Sequence, residues 1–431
     1  MRRRCGAAIA ALAAAGLLAA CGDDGGSDTV TRTVTQTATT TVEDAPREPA
    51  PGVGTDGATG TRSATAIFRP FASDSPWNTT VTGRPVDAAS ERMILEAQER
   101  VGVIERGEIV ATERRRIDDP LFINTRAWTV PIVDEENGVE TRMVCRQIPP
   151  DCGDGRRVQT LLVPPDAAPK PQYDGWFTIL NRREGVAYDL WRARRSGDVI
   201  SYEFMRRWAL NGPGYQPPDS VSARGSGLPL FAGVLLPEEV AAGRIEHALA
   251  ISVPGPAQRT YVQPASATDG NGRSTSLPEG ARIRLRPGRY DALLNLPTCR
   301  GSLLDAQGEY RNDCIAPRTN RKAARAILTA LREYGAIVVD RSRTPTLYAK
   351  LNADWNEPLR GPDGRFLAAD GRTPLPRRLQ KRSQATPLLR GNEVQFLRLS
   401  DFEVLELGQT FRFPPVDGSA TVQTTFTPVV P

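Results

Sequence analysis

From residue 66 onward, apolar residues come in short runs separated by turn-forming residues such as Asp154-Gly155 and Asp363-Gly364. The runs WTVPIV (128–133), VQTLLVP (158–164), WFTIL (176–180), VAYDLW (186–191), HALAISV (247–253), TYVQP (260–264), ARIRL (281–285) and AIVVD (336–340) read as strands, since each is too short for an amphipathic helix. In HALAISV the period of two puts His247, Leu249, Ile251 and Val253 on one face and Ala248, Ala250 and Ser252 on the other. The PGPAQ segment after it would close a hairpin pairing Val253 with Arg259. That register sets Tyr261 beside Ile251, about 13 Å along the strand from His247 at ~3.3 Å per residue.

Helical periodicity is scarcer. Residues 84–101 place Met93, Ile94, Ala97 and Val101 on one side of a helix, and Ala324, Ile327, Leu328, Leu331 and Tyr334 do so more clearly. Thr319 would cap this second helix and Gly335 would end it. A shorter helix starts at Pro237, where the ring suits the first position. Glu238 and Glu239 meet the positive end of its dipole, and Gly243 stops it. Many short strands and few helices predict a mainly-β, α+β fold, an antiparallel sandwich or jelly-roll-like architecture, as a single domain over residues 66–415 with a tail over 416–431.

The first 65 residues obey another logic. Arg2, Arg3 and Arg4 precede CGAAIAALAAAGLLAA (5–20), an apolar run shorter than the roughly 20 residues of a membrane span but right for a secretory signal. The run ends in Leu18-Ala19-Ala20-Cys21, which resembles the lipobox of bacterial lipoproteins. That resemblance implies cleavage of residues 1–20 and lipid on Cys21, which would hold the chain on the outer face of the cell membrane. An ordinary signal peptide is the other reading. Residues 21–65, rich in Thr, Gly, Pro and Asp, have too little apolar surface to fold and read as a tether.

With the signal and Cys21 set aside, Cys145, Cys152, Cys299 and Cys314 remain, an even number in an exported chain. The spacing favours local bridges, Cys145 with Cys152 and Cys299 with Cys314, although four cysteines allow three connectivities. Such loops are worth roughly 2.5–3 kcal/mol each in the chain-entropy model. Charge adds little. Less the three signal arginines, 52 basic residues face 50 acidic ones with no basic stripe, which argues against a nucleic-acid partner.

His247 is the only histidine in 431 residues. An imidazole there could act as acid or base with Glu239 or Glu246, or sit in the core bonded to a main-chain carbonyl. Two Trp-Asn pairs, Trp77 with Asn78 and Trp355 with Asn356, offer indole faces and amides to a sugar, or else anchor and cap turns. The Gly225-Ser226-Gly227 loop lacks the lysine of a phosphate loop and reads as a turn bringing two segments close. Gly-x-Ser-x-Gly, His-Glu-x-x-His and calcium-loop motifs are missing. No cofactor and no metal ligands are therefore assigned, and one histidine argues against a transition-metal centre while leaving a carboxylate-bound calcium open.

The segments PWN, GSGLPLFAGVLLPEEVAAGRIEHAL, LPEGARIRL and ILTALREYGAIVVDRS, in that order over residues 76–342, resemble an uncharacterised family of secreted proteins of actinobacteria and related soil bacteria. The resemblance implies export and one domain over this span, and carries no catalytic residue. The expectation is a lipid-anchored extracytoplasmic protein that binds or processes extracellular or cell-wall polysaccharide. If it is an enzyme, it is a glycan-active hydrolase or lyase. The alternative is a non-catalytic structural or interaction module of the envelope. A transporter's solute-binding protein would show two alternating βα lobes, which this chain does not.

Overall fold

The strand Leu249–Val253 is buried along its whole length, and its two faces enter two different cores. Leu249, Ile251 and Val253 pack into an aliphatic core, whereas Ala248 and Ala250 face an aromatic one. The neighbouring strand Ala336–Arg341 divides in the same way, with Ala336 and Val338 on one side and Ile337 and Val339 on the other. A computed structural model describes residues 68–105, 108–116 and 118–413, and these two strands lie at the centre of its largest sheet.

That sheet runs in the order Phe402–Val404, Arg282–Leu285, Ala336–Arg341, Leu249–Val253, Thr346–Tyr348, Phe122–Asn124. Leu249–Val253 pairs parallel with Ala336–Arg341 and antiparallel with Thr346–Tyr348. The fold is thus mainly β and α+β, but the central sheet is mixed rather than antiparallel throughout. A second sheet, Phe204–Ala209, Val186–Trp191, Phe177–Asn181 and Ile132–Asp134, closes the aromatic core with Trp176, Trp191, Trp208 and Phe231. Its opposite face carries Phe177, Ile179 and Leu190 into a third core, shared with Met143, Ile200 and Tyr202 from the sheet Val158–Val163, Val139–Cys145, Val199–Tyr202 and Arg194–Ser196. Helices cover the outer face of the central sheet through the aliphatic core.

The clearest helix is Arg321–Glu333, with Ile327, Leu328 and Leu331 buried. Its cap is Asn320, whose side chain accepts the Ala323 amide, and not Thr319 one residue earlier. Both residue types can cap; the chain's entry angle chooses. The first helix spans only Ser90–Ala97, because the β-branched stretch after Gln98 leaves it to form the strand Glu99–Glu105, paired with Glu108–Arg116. The short helix Pro237–Ala242 ends at Gly243 with φ of 75°.

Two strand expectations move for identifiable reasons. The ladder begins at Leu249 and not at His247, because the Ala248 amide donates to the Trp77 carbonyl instead of a strand partner. The hairpin from Val253 to Arg259 does not form either. Both edges of Leu249–Val253 are already taken, so Thr260–Val262 pairs with Thr410–Arg412.

One irregularity redirects a charged side chain. Ile251 pairs with Val338 and Ser252 with Asp340, so Val339 is an extra residue in its strand. Strict alternation would send Asp340 to the aliphatic side with Ala336 and Val338. After the bulge its carboxylate instead reaches Arg224 on the aromatic side. Disulfides Cys145–Cys152 and Cys299–Cys314 staple two local loops.

Candidate functional site

The helix Pro237–Ala242 and the turn before Leu249 bring His247 and Glu239 together in a setting closed to solvent. His247 is 5% exposed and Glu239 is 3% exposed. The Nδ1 of His247 lies 2.8 Å from the Ala248 carbonyl, which can only accept, so this nitrogen donates. Its Nε2 lies 3.1 Å from Oε1 and 3.2 Å from Oε2 of Glu239. With both nitrogens donating, the ring is an imidazolium paired to a carboxylate. Burial alone would push its pKa down, but the Glu239 charge and the two hydrogen bonds outweigh that and hold it above the ordinary value. Glu239 also accepts the Leu236 amide at the start of its own helix. Every polar side-chain atom of this dyad has a partner inside the protein.

The other residues singled out by sequence lie apart. Glu246 points to the surface and pairs with Arg69 and Arg244. Trp77 is fully buried, its Nε1 donating to the Gly214 carbonyl, so neither ring face is offered to a sugar. Asn78 donates to the carbonyls of Pro70, Phe71 and Ala72 and shapes the turn at Phe71, which has φ of 76°. Trp355 is buried with Nε1 on the Lys350 carbonyl, and Asn356 is exposed in the turn beyond it. Cys21 lies outside the described residues.

Three other tryptophans meet in one recess. Trp128, Trp176 and Trp191 line a pocket of about 80 Å³ together with Asp174, Arg224, Asp269, Asp340 and Arg341. It lies where the central and second sheets diverge, beside the bulge. The Gly225-Ser226-Gly227 loop forms one wall and is pressed against its neighbours: Ser226 Oγ donates to the Val339 carbonyl. A Cβ at Gly225 would come within 2.3 Å of Asp269 Cγ, and one at Gly227 within 2.0 Å of Ser266 Oγ, so glycine is required at both positions.

Arg224 is the centre of the arrangement and is 2% exposed. Its guanidinium carbon sits 3.3 Å from the ring centroid of Trp176, a cation–π stack that offsets part of the lost hydration. Nη1 donates to Asp340 Oδ2, while Nε and Nη2 have no hydrogen-bond partner. Across from it, oxygens of Asp269, Glu279 and Asp340 all lie within 4.8 Å of one another. Two like charges at that separation repel by about 3.5 kcal/mol at an effective dielectric of ~20. Burial, then the neighbouring acids, push the Asp269 and Glu279 carboxyls above the usual carboxylate range, and Asp174 moves the same way for the same two causes. Arg341 Nε approaches Asp269 Oδ2 at 3.4 Å. Asp269 Oδ1 and Glu279 Oε1 remain without partners.

The rim is held in costly backbone. Trp128, Asp174 and Arg192 have φ of 53°, 60° and 51°, a region that costs a side-chain-bearing residue about 1–3 kcal/mol. Trp128 is partly exposed there, with its ring centroid 5.7 Å from that of Tyr173. A larger open groove of about 640 Å³ includes Asp154, Glu184, Arg206 and Arg207, but there Arg206 is paired with Asp154. A charge pair already matched within the protein points to no ligand, and the smaller recess, with its unmet polar atoms, is the candidate.

None of the recess residues carries a sequence motif. Asp269, Glu279 and Asp340 are spread over more than 70 residues, and only the bulge and the loop crossing bring them together. The signals in the sequence were weak: an Asp-Gly turn at Asp269 and six tryptophans in a chain whose other aromatics are few. No family model, curated protein or solved structure matches this chain.

Proposed function

We propose that this protein binds or processes extracellular or cell-wall polysaccharide, and that the recess under Trp128 is where it does so. The observation that carries the reading is Trp128 itself, an indole held partly exposed in left-handed backbone beside the half-buried acids Asp174, Asp269 and Asp340 and the arginines Arg224 and Arg341. Aromatic faces stack on sugar rings, and a few convergent polar groups orient the ligand. At about 80 Å³ the recess is far below the roughly 300 Å³ that encloses a drug-sized ligand, so it grips part of a longer molecule. For turnover, Asp269, whose pKa is pushed up to about 6 by burial and by Asp340, would supply the proton for a leaving group, with the Asp340 carboxyl close by.

The cellular setting belongs to the same reading. Two disulfides, and the lack of any helix among the described residues long and apolar enough to cross a membrane, are compatible with an extracytoplasmic protein. Lipid on Cys21 would tether it to the outer face of the cell membrane, with no role in binding nucleic acid.

A non-catalytic envelope module is the second reading, and the commitment of both His247 nitrogens is the observation on its side. The test is glycan-array binding and release of reducing ends by the whole protein, wild type against Trp128→Ala. Binding or turnover lost in the variant at unchanged melting temperature supports the recess. Binding without turnover selects the non-catalytic reading, and no glycan bound by the wild type sinks the proposal.

A further inference from the structure

We propose that Asp269, Glu279 and Asp340 hold a hard divalent cation, calcium, beside the recess, which Asp269 and Asp340 line and behind which Glu279 is buried. This goes beyond the polysaccharide reading and stands without it. One oxygen from each residue lies within 4.8 Å of the others, the spread that an ion at 2.3–2.6 Å from each would bridge. Proximity of acids alone would not carry the inference. The independent observation is Glu279, which is fully buried and brings an oxygen into the cluster, yet whose Oε1 has no partner in the protein. Its other oxygen, Oε2, accepts the Asp269 amide, which fixes the side chain in place. Asp269 Oδ1 is likewise unpartnered. A buried carboxylate oxygen with no donor to meet it is costly, and a cation is the species that would satisfy several at once.

The donor set selects the metal. Only carboxylate oxygens converge here. The single histidine has both nitrogens committed elsewhere, and Cys145, Cys152, Cys299 and Cys314 are in disulfides. Zinc, copper and iron favour nitrogen and sulfur, whereas calcium takes oxygen and tolerates an irregular shell completed by water. The arginines are spent on two of the acids, Arg224 on Asp340 and Arg341 on Asp269, and Glu279 has no arginine partner among the described residues. Arg341 approaches only Oδ2 of Asp269 and leaves Oδ1 open, whereas Asp340 meets Arg224 through Oδ2 and the Arg341 amide through Oδ1.

The experiment uses the full chain stripped with a chelator and then titrated with calcium chloride alone, read by calorimetry and by urea midpoint. Terbium serves as a second probe, since Trp176 and Trp191 line the same recess and would sensitise its luminescence. The expected result is one equivalent bound, a urea midpoint that rises with calcium, and tryptophan-sensitised terbium emission that calcium displaces. Glu279→Gln and Asp269→Asn should each weaken calcium binding at least ten-fold while keeping the wild-type far-ultraviolet spectrum. Absence of heat, midpoint shift and sensitised emission in the folded wild type at millimolar calcium overturns the site. So does binding that both variants retain at wild-type strength. Glycan assays play no part in this test, so its failure is separate from failure of the polysaccharide reading.

Discussion

Two buried clusters of charge lie in this molecule, and they differ in one respect that decides their meaning. In the pair His247–Glu239 every donor and acceptor is met: the imidazolium bonds a carbonyl and a carboxylate, and the carboxylate also caps a helix. In the recess, Arg224 leaves two nitrogens unpartnered, and Asp269 and Glu279 each leave an oxygen. Both clusters are costly to bury. The first is closed within the fold; the second leaves four polar atoms unmet. A candidate site is better recognised by unmet valence than by the presence of a reactive residue type.

The largest expected effect is on the closed pair. His247→Ala or Glu239→Gln leaves an uncompensated group in the interior and should cost about 3–5 kcal/mol in urea unfolding. Ligand and calcium binding should survive in the folded fraction. Loss of calcium or glycan binding in a variant of unchanged stability would break the comparison. The pH dependence sharpens it. The folded-state pKa of His247 is raised, so the pair's contribution is fully present below the ordinary histidine value near 6.5 and fades as pH rises through the raised one. Wild-type stability should therefore decline over that window, and Glu239→Gln should flatten the decline.

Next come the staples. Replacing Cys145 and Cys152 by alanine should cost about 2.5 kcal/mol, and replacing Cys299 and Cys314 about 3 kcal/mol, with the recess unaffected. Paired urea curves check both, and a stability unchanged in either double variant would contradict the entropic account. The recess acids should behave in the opposite sense. In chelator-treated protein near pH 7.5, Glu279→Gln removes the cost of burying a carboxyl whose charged form its surroundings disfavour and should raise stability by about 1–2 kcal/mol. A fall of that size would mean that the cluster is as closed as the histidine pair. Smallest in stability is Trp128→Ala, within about 1 kcal/mol because the ring is partly exposed, while glycan binding should fall at least ten-fold.

How much could be read from the sequence depended on how local each signal was. The two-residue period of 247–253 correctly divided Leu249, Ile251 and Val253 from Ala248 and Ala250, because alternation needs no knowledge of partners. The helix Arg321–Glu333 and the stop at Gly243 were legible for the same reason. Which strand paired with which was not. A local hairpin was the simplest partner for Thr260–Val262, but both edges of Leu249–Val253 are filled from about 87 to 96 residues downstream. At the site, His247, Trp77 and Trp355 stood out because they are rare or repeated. Their environments, sealed and fully bonded, exist only in three dimensions. Arg224 sits one residue before a loop read as a mere close approach, and only the folded chain puts it on Trp176.

The extra residue at Val339 has a consequence for how chains of this kind are compared. In an alignment, its absence would register as a single gap in a β-strand, the sort of difference passed over as loop-length noise. In the folded molecule that gap would remove the bulge but keep Asp340 opposite Ser252, so plain alternation would hold the same charge on the face of Arg224. One valine thus works as a typographic mark: it sets a second side chain on the page that already carries the negative charge, and a chain without it would keep the recess acid while losing a piece of the aromatic core.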